Sequence, residues 1–362
     1  MATTPTPRYR SSIAPLAGIA LIVGLVAFAF AWTAGWIGGG RLTAAKMIDA
    51  IEANNPQQWA GYRRAHSKGV CFRGEFQASG KAASLSVARA FTQQAVPVIG
   101  RLSIAGGDPH GPDNTARVRS ISALLKTDDG QEWRMAMNEF PFFPVASPEG
   151  FQALTLASHP DPATGKPDPA AMAAFVAKYP EIRNFQAWAG SAPFTDSWAT
   201  TTFNGVNSFR LRAADGTENH VRWSMRPQAV PRALTPEELT AADGDFLEQE
   251  ILQRLRAGPA RWDMVVTIAE AGDAVDDPSQ TWPAERKQVV AGTLVISSTA
   301  AQATGECRDI NFDPLVLPQG VAPSSDPVLL ARSTVYAESF NRREMEIAHG
   351  KAAGATGTES AK

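Results

Sequence analysis

Between Arg10 and Arg41 the chain carries no charged residue, and the run IAPLAGIALIVGLVAFAFAWTAGWI, residues 13–37, is apolar almost throughout. Roughly 20 such residues cross a bilayer, so this run predicts one transmembrane helix. Arg8 and Arg10 precede it without an acidic residue, which favours a cytoplasmic N-terminus over residues 1–12. Trp32 and Trp36, near the far end, suit an interfacial aromatic belt. The triplet AFA at 29–31 also reads as the cleavage site of a signal peptide. The apolar run is longer than such peptides use, so a retained anchor is the expectation.

Past GGGR the pattern changes to short alternating and helical stretches. TAAKMIDAIEAN predicts a short helix capped by Thr43, and GVCFRGEFQ predicts a strand. Two hairpins follow from their turns. Asp128-Asp129-Gly130 separates two strand-like runs in ARVRSISALLKTDDGQEWRMAMN, and Asp215-Gly216 does so in NSFRLRAADGTENHVRWSMRP. RWDMVVTIAEA and QVVAGTLVISS predict two more strands. Six or more antiparallel strands in one region point to a barrel or sandwich. Residues 170–180 are apolar at helical spacing, and LTPEELTAADGDFLEQEILQRLRAG begins a helix at Thr235 that Gly244 can split. Residues 158–170 form a proline-rich loop. The expected architecture is therefore α+β: an antiparallel β-barrel with flanking helices, preceded by one transmembrane helix. Its soluble domain spans 42–347 and its disordered tail 348–362.

Composition narrows the function. A net charge of −2 over 362 residues, without a long basic run, gives no case for nucleic acid. Two cysteines, Cys71 and Cys307, cannot form a disulfide framework, and no CxxC occurs. They can pair once, but are read here as free buried thiols. The alanine-, proline- and arginine-rich composition looks bacterial, so export past the anchor would place the domain in the periplasm.

The chemistry-bearing residues are sparse. Of five histidines, His66 alone sits where a loop feeds the first strand, just after two arginines, in GYRRAHSKGV. No HExxH, GxSxG, P-loop or GxGxxG context is present, which removes the commonest hydrolase and nucleotide readings. In DPVLLARSTVYAESFNRR, Asp326 and Pro327 start a helix that puts Arg332 and Tyr336 four residues apart on one face. Arg343 follows about two turns later. A cation beside a phenol favours its deprotonated form. The spacing is also that of a surface helix with scattered arginines, and the residues alone leave both readings open.

Taken together, these segments resemble the haem catalase superfamily, most of all its small catalase-related peroxidases. YRRAHSKG is similar to the segment carrying the essential distal histidine and, three residues before it, an arginine to a haem propionate: His66 and Arg63. GRLSIAGG looks like the segment of a haem-contacting arginine and a serine that hydrogen-bonds the histidine: Arg101 and Ser103. WRMAMNEFPFF resembles the distal-asparagine segment, with Asn138 and the phenylalanine pair ending in Phe143. Phe151 stands at the spacing of a haem-stacking phenylalanine. GVNSFRLRAADG is like the family's strand and turn of that pattern, and LLARSTVY resembles the proximal R-x-x-x-Y. There Tyr336 is the axial iron ligand, Arg332 its partner and Arg343 a further arginine.

Five segments in the right order imply a non-covalent haem b and peroxide chemistry. His66 would act as acid and base, helped by Ser103 and Asn138, and an organic electron donor would complete a peroxidase cycle, with weak catalase activity. Departures from the family pattern are YAESFNRR after the axial tyrosine, Glu139 placing a carboxylate beside the distal pocket, Val118 where an acidic channel residue is usual, and a chain ending soon after the proximal helix. The resemblance also admits an isomerase or lyase of fatty-acid hydroperoxides and a haem-binding sensor without turnover. It leaves a homo-oligomer open, and it places the domain on the periplasmic side of a bacterial inner membrane.

Overall fold

The computed structural model describes residues 13–33, 37, 40–55 and 57–350. The first helix, α1, runs from Ile13 to Thr33 and is exposed along its described side chains. It is the one described helix long and apolar enough to cross a membrane, a property shared by signal sequences. Residues 34–36 of the expected span to 37, Trp36 included, lie outside the described residues. Helix α2 (Ala44–Ala53) starts where Thr43 accepts a hydrogen bond from Lys46 N.

Ten strands follow: β1 (Gly69–Ala78), β2 (Val96–Ile104), β3 (Arg119–Lys126), β4 (Glu132–Asn138), β5 (Phe203–Asn204), β6 (Phe209–Arg212), β7 (Glu218–Pro227), β8 (Ala260–Ile268), β9 (Gln288–Ala301) and β10 (Val321–Pro323). Eight of them close into an antiparallel barrel in the order β7-β5-β4-β3-β2-β1-β9-β8, with β8 pairing back to β7. Strands β6 and β10 extend the sheet from β7. Both expected hairpins form, and Gly130 (φ 82°) and Gly216 (φ 89°) take the left-handed backbone their turns need.

Alternation along the strands sorts the two faces of the barrel. Ile121, Ala123 and Leu125 of β3 and Trp133, Met135 and Met137 of β4 point inward and join the main core. Trp133 packs edge-on against Phe91 and Trp223. Each such fully buried large side chain contributes about 1.5–3 kcal/mol. The alternate residues Arg101, Ser103, Ser120, Ser122, Ala136 and Asn138 line a cavity on the other face. Most are small, so this part of the wall is nearly flat.

Helices cover the barrel: α3 (Pro148–Ala157), α4 (Pro169–Lys178), α5 (Ile182–Ser191), α6 (Pro236–Ala241), α7 (Phe246–Ala257) and α8 (Pro327–Ala348). The expected split near Gly244 separates α6, opened by a Thr235–Glu238 capping box, from α7. Helix α8 packs beside α2. There Arg342 pairs with Asp49 and Glu52 at 2.8 Å each, and Arg64 bridges Glu52 and Glu346. It runs to Ala348, and 351–362 of the expected tail lie outside the described residues.

The cysteines are not free thiols. Cys71 and Cys307 form a disulfide whose Cα atoms are 5.3 Å apart. The outer face of β1 turns Cys71 towards the segment after β9, where Cys307 is fully buried beside Leu124 and Phe312. A sequence separation of 236 hid that meeting.

Candidate active site

The cavity lies between α8, α2 and the outer face of β2, β3 and β4, with about 850 Å³ of space partly open to solvent. Its α8 wall is built from the helix start. The buried Asp326 accepts from Val328 N (2.8 Å) and Leu329 N (3.2 Å), which fixes the first turn. Its other oxygen accepts from Asn207 Nδ2 at 2.7 Å, and Asn207 Oδ1 accepts from Arg332 Nη1 at 2.6 Å. Arg332 Nη2 donates to the Tyr336 hydroxyl at 2.8 Å and to Ala136 O of β4 at 3.0 Å. The guanidinium is thus held on three sides, and a cation faces the phenol. Asn207, from GVNSF, is a site residue that the sequence reading missed.

His66 lies on the loop before β1 and lines the same cavity. Its backbone is left-handed (φ 54°), and among the described residues the other non-glycine with positive φ is Val206 (38°), next to Asn207. Such strain persists where the surroundings over-determine the chain, often at functional sites. Burial pushes the imidazole down to about 4, helped by Arg101, Arg332 and Arg63, while backbone hydrogen bonding to Ile104 works the other way. The ring is neutral at neutral pH, as a general base must be.

The expected partner of His66 was Ser103. The structure instead puts the Ser120 hydroxyl against His66 Nδ1, at 3.1 Å, and joins it to Asn138 Oδ1 at 2.6 Å. Ser103 lines the cavity and lies beside Ser120 in the strand register, one step further from Asn138. A signal for Ser120 was present. The Asp128-Asp129-Gly130 turn pairs Lys126 with Glu132, and counting back along that hairpin pairs Ser120 with Asn138.

A third group of residues is cationic. Arg101 and Arg343 are 2% and 3% exposed, and Glu344 Oε1 stands 3.6 Å from Arg343 Nε. Arg101 donates to Ser67 O (2.9 Å) and Gln302 Oε1 (2.5 Å). Arg63 Nη2 donates to the carbonyls of Cys307 (2.9 Å), Arg308 (3.2 Å) and Ile310 (2.9 Å). Arg343 Nε and Nη2 are buried without a hydrogen-bond partner. Burial first, then the neighbouring Arg343, holds the Arg63 guanidinium down at about 9. Burial, then Arg63 and Arg343, lowers Arg101 well below its usual value. Three cations that repel one another, two of them buried, with no acid among the described lining residues, make a site for an anionic group.

Three further expectations need correction. Phe143 and Phe151 are not among the lining residues. Their rings pack on each other (5.2 Å between centroids) in a satellite core with Val145, Phe175 and Ile182. Helices α3 to α5 bury them there. Glu139 does not reach the cavity either. It follows Asn138 on the chain but turns to the opposite side, near Arg117 (3.9 Å) and the backbone N–H of Arg119 (3.3 Å), and burial raises its carboxyl.

A tyrosine–arginine pair, a neutral histidine and an arginine cluster on one cavity match the expected order of segments. The family comparison agrees with that arrangement: the model described as Catalase matches residues 31–348. The chain belongs to the catalase family. Catalase-family membership makes it an enzyme of the peroxidase and catalase type. It is 38% identical over 328 residues to a catalase-related peroxidase of Synechococcus elongatus, covering 91% of this chain and 94% of that one. It is 32% identical over 305 residues to a catalase-related peroxidase of Mycolicibacterium paratuberculosis, covering 84% and 96%. A catalase of Pseudomonas aeruginosa is 24% identical over 289 residues, and the match spans 56% of that longer protein.

Proposed function

We propose that this catalase-family chain is a haem-dependent peroxidase that reduces hydrogen peroxide or organic peroxides with an organic electron donor. One observation carries the reading: the cavity that holds the arginine-paired phenol of Tyr336 also holds His66, kept neutral and bonded to Ser120.

The residues fit a non-covalent haem b. Tyr336 would be the residue that holds the iron, and Arg332 Nη2 donates to its oxygen at 2.8 Å. Arg63, Arg101 and Arg343 suit two propionates, and Arg343 Nη2, buried without a hydrogen bond, is what such a carboxylate would satisfy. Bound there, haem would supply redox-active iron for peroxide chemistry. The chain supplies proton movement. His66 would take the proton from one peroxide oxygen and return it to the other as it departs, a role worth on the order of 10²–10⁴ in rate. Asn138 is placed to hydrogen-bond that oxygen. The apolar lining of Ile48, Ile51, Ile310, Val335 and Phe340 leaves room for organic peroxides.

The reading extends to location. Helix α1 is proposed as a retained single-pass anchor in a bacterial inner membrane, with the catalytic domain on the periplasmic side. An oxidising compartment suits the disulfide.

The test is the absorption spectrum of the purified full chain, followed by peroxide with and without a chromogenic donor. A ferric haem spectrum lost in Tyr336→Ala, with donor oxidation lost in His66→Ala, supports the proposal. Consumption of lipid hydroperoxide without any donor would point to an isomerase, and haem binding without turnover to a sensor.

A further inference from the structure

The oxygen atom between His66 and Asn138 belongs to a residue that the family resemblance did not single out. Ser120 sits on the outer face of β3, opposite Asn138 on β4, and Ser103 lies beside it on β2. Residues directly opposite on neighbouring strands have Cβ atoms about 5 Å apart. A serine at this one position can therefore touch both Asn138 and a histidine above the sheet. Its environment is closed, since Ser120 is 4% exposed.

A hydroxyl has one proton to give. Ser120 gives it to Asn138 Oδ1, which can only accept, at 2.6 Å. The 3.1 Å contact with His66 Nδ1 must then run the other way, with Nδ1–H donating to the Ser120 oxygen. A neutral imidazole carries one proton, so Nε2 is left as the bare acceptor. With its oxygen engaged, Asn138 keeps both protons of Nδ2 for another acceptor. One serine thereby sets two groups: a base at His66 Nε2 and a donor at Asn138 Nδ2.

We propose that Ser120, rather than Ser103, is the positioning residue of this site, fixing His66 in the Nδ1–H tautomer and orienting the Asn138 amide. The proposal rests on the peroxidase reading for its purpose, because a relay in the opposite sense would leave the proton on Nε2 and remove the base. Its geometry stands apart from that reading. Arg101, Arg332 and Arg63 are the charged groups that face His66 and none of them can accept its proton, while the backbone of Ile104, which hydrogen-bonds the ring, is a second acceptor beside Ser120.

The experiment is the long-range ¹⁵N–¹H spectrum of histidine-labelled full chain in detergent. Zinc protoporphyrin is added as a diamagnetic stand-in for haem where it binds. His66 is assigned by its loss in His66→Ala. Wild type and Ser103→Ala should show Nδ1 protonated and Nε2 bare. Ser120→Ala should show a mixture of tautomers, and Ser120→Thr, which restores a hydroxyl, should return to the wild-type pattern. In the haem-loaded enzyme, the rate constant with peroxide should fall about tenfold in Ser120→Ala, the worth of one hydrogen bond, and less than about twofold in Ser103→Ala. Nε2 protonated in wild type, or a tautomer unchanged in Ser120→Ala, overturns the proposal whether or not the protein turns over peroxide. The expected tautomers in a protein without peroxidase activity would uphold Ser120 and remove the peroxidase reading.

Discussion

Arg332 Nη2 stands 2.8 Å from the Tyr336 hydroxyl, one helical turn away, and the same guanidinium is gripped by Asn207 Oδ1 at 2.6 Å and by Ala136 O at 3.0 Å. A planar fork serves three acceptors at once, and a lysine ammonium cannot keep that geometry. Arg332→Leu should therefore weaken haem binding by roughly 10–100-fold, the loss of one or two charge-assisted hydrogen bonds. Arg332→Lys should recover only part of that. Haem titration followed by absorbance measures both, and an Arg332→Leu protein that binds haem as wild type does would separate Arg332 from the ligand.

The pH profile follows from His66. Its imidazole is held down at about 4 against an ordinary 6.5, so the base form is present throughout the neutral range. The rate constant for peroxide should be flat there and should fall only as the pH approaches about 4. Stability has a matching sign. Between 6.5 and about 4 the unfolded chain takes up a proton that the folded one refuses, so stability declines as pH falls through that window. A break in rate near 6.5 would contradict the burial argument.

Arg343 should act in opposite directions on the empty and the loaded protein. It is 3% exposed, with Glu344 Oε1 3.6 Å from Nε and no hydrogen bond to Nε or Nη2, and it lies among the cations Arg63 and Arg101. Arg343→Met removes a buried charge that Glu344, 3.6 Å away, satisfies only in part. The haem-free protein should melt no lower than wild type, while haem affinity should drop by about tenfold or more. Paired thermal melts with and without haem test this, and a fall in both would mean that Arg343 has a structural partner instead.

The disulfide reaches the site through a main-chain carbonyl. Cys307, bonded to Cys71, also accepts from Arg63 Nη2 at 2.9 Å, and Gln302, five residues earlier, holds Arg101. Cys71→Ser with Cys307→Ser should cost about 2–4 kcal/mol of stability. It should also loosen haem more than other substitutions of equal destabilising effect, because two of the three arginines lose their support. Comparing haem off-rates with a barrel-interior variant such as Ile121→Val provides the control.

Much of this protein was legible along the chain. The uncharged run from Ile13, the glycines of the two hairpin turns, and the capped starts of α2, α6 and α8 all depend on residues within a few positions of one another. Local sterics and hydrogen bonding are enough to set them. The Arg332–Tyr336 pair was legible for the same reason, since four residues along a helix make neighbours. Segment order was enough to bring His66, Arg63, Arg101, Asn138 and Arg343 to one cavity.

Other decisions needed the closed barrel. Ser120 replaced Ser103 beside His66 because register, a property of paired strands, chooses which side chain lies next to Asn138. Phe143 and Phe151 turned to each other because α3 to α5 gave them a dry core away from the cavity. Glu139 left the pocket because its side chain points to the side opposite Asn138. Cys71 and Cys307 met because β1 and the segment after β9 are neighbours only once the sheet has closed. Short-range patterns settle which elements form, but the face and the partner of each side chain depend on atoms far along the chain, and only packing brings those together.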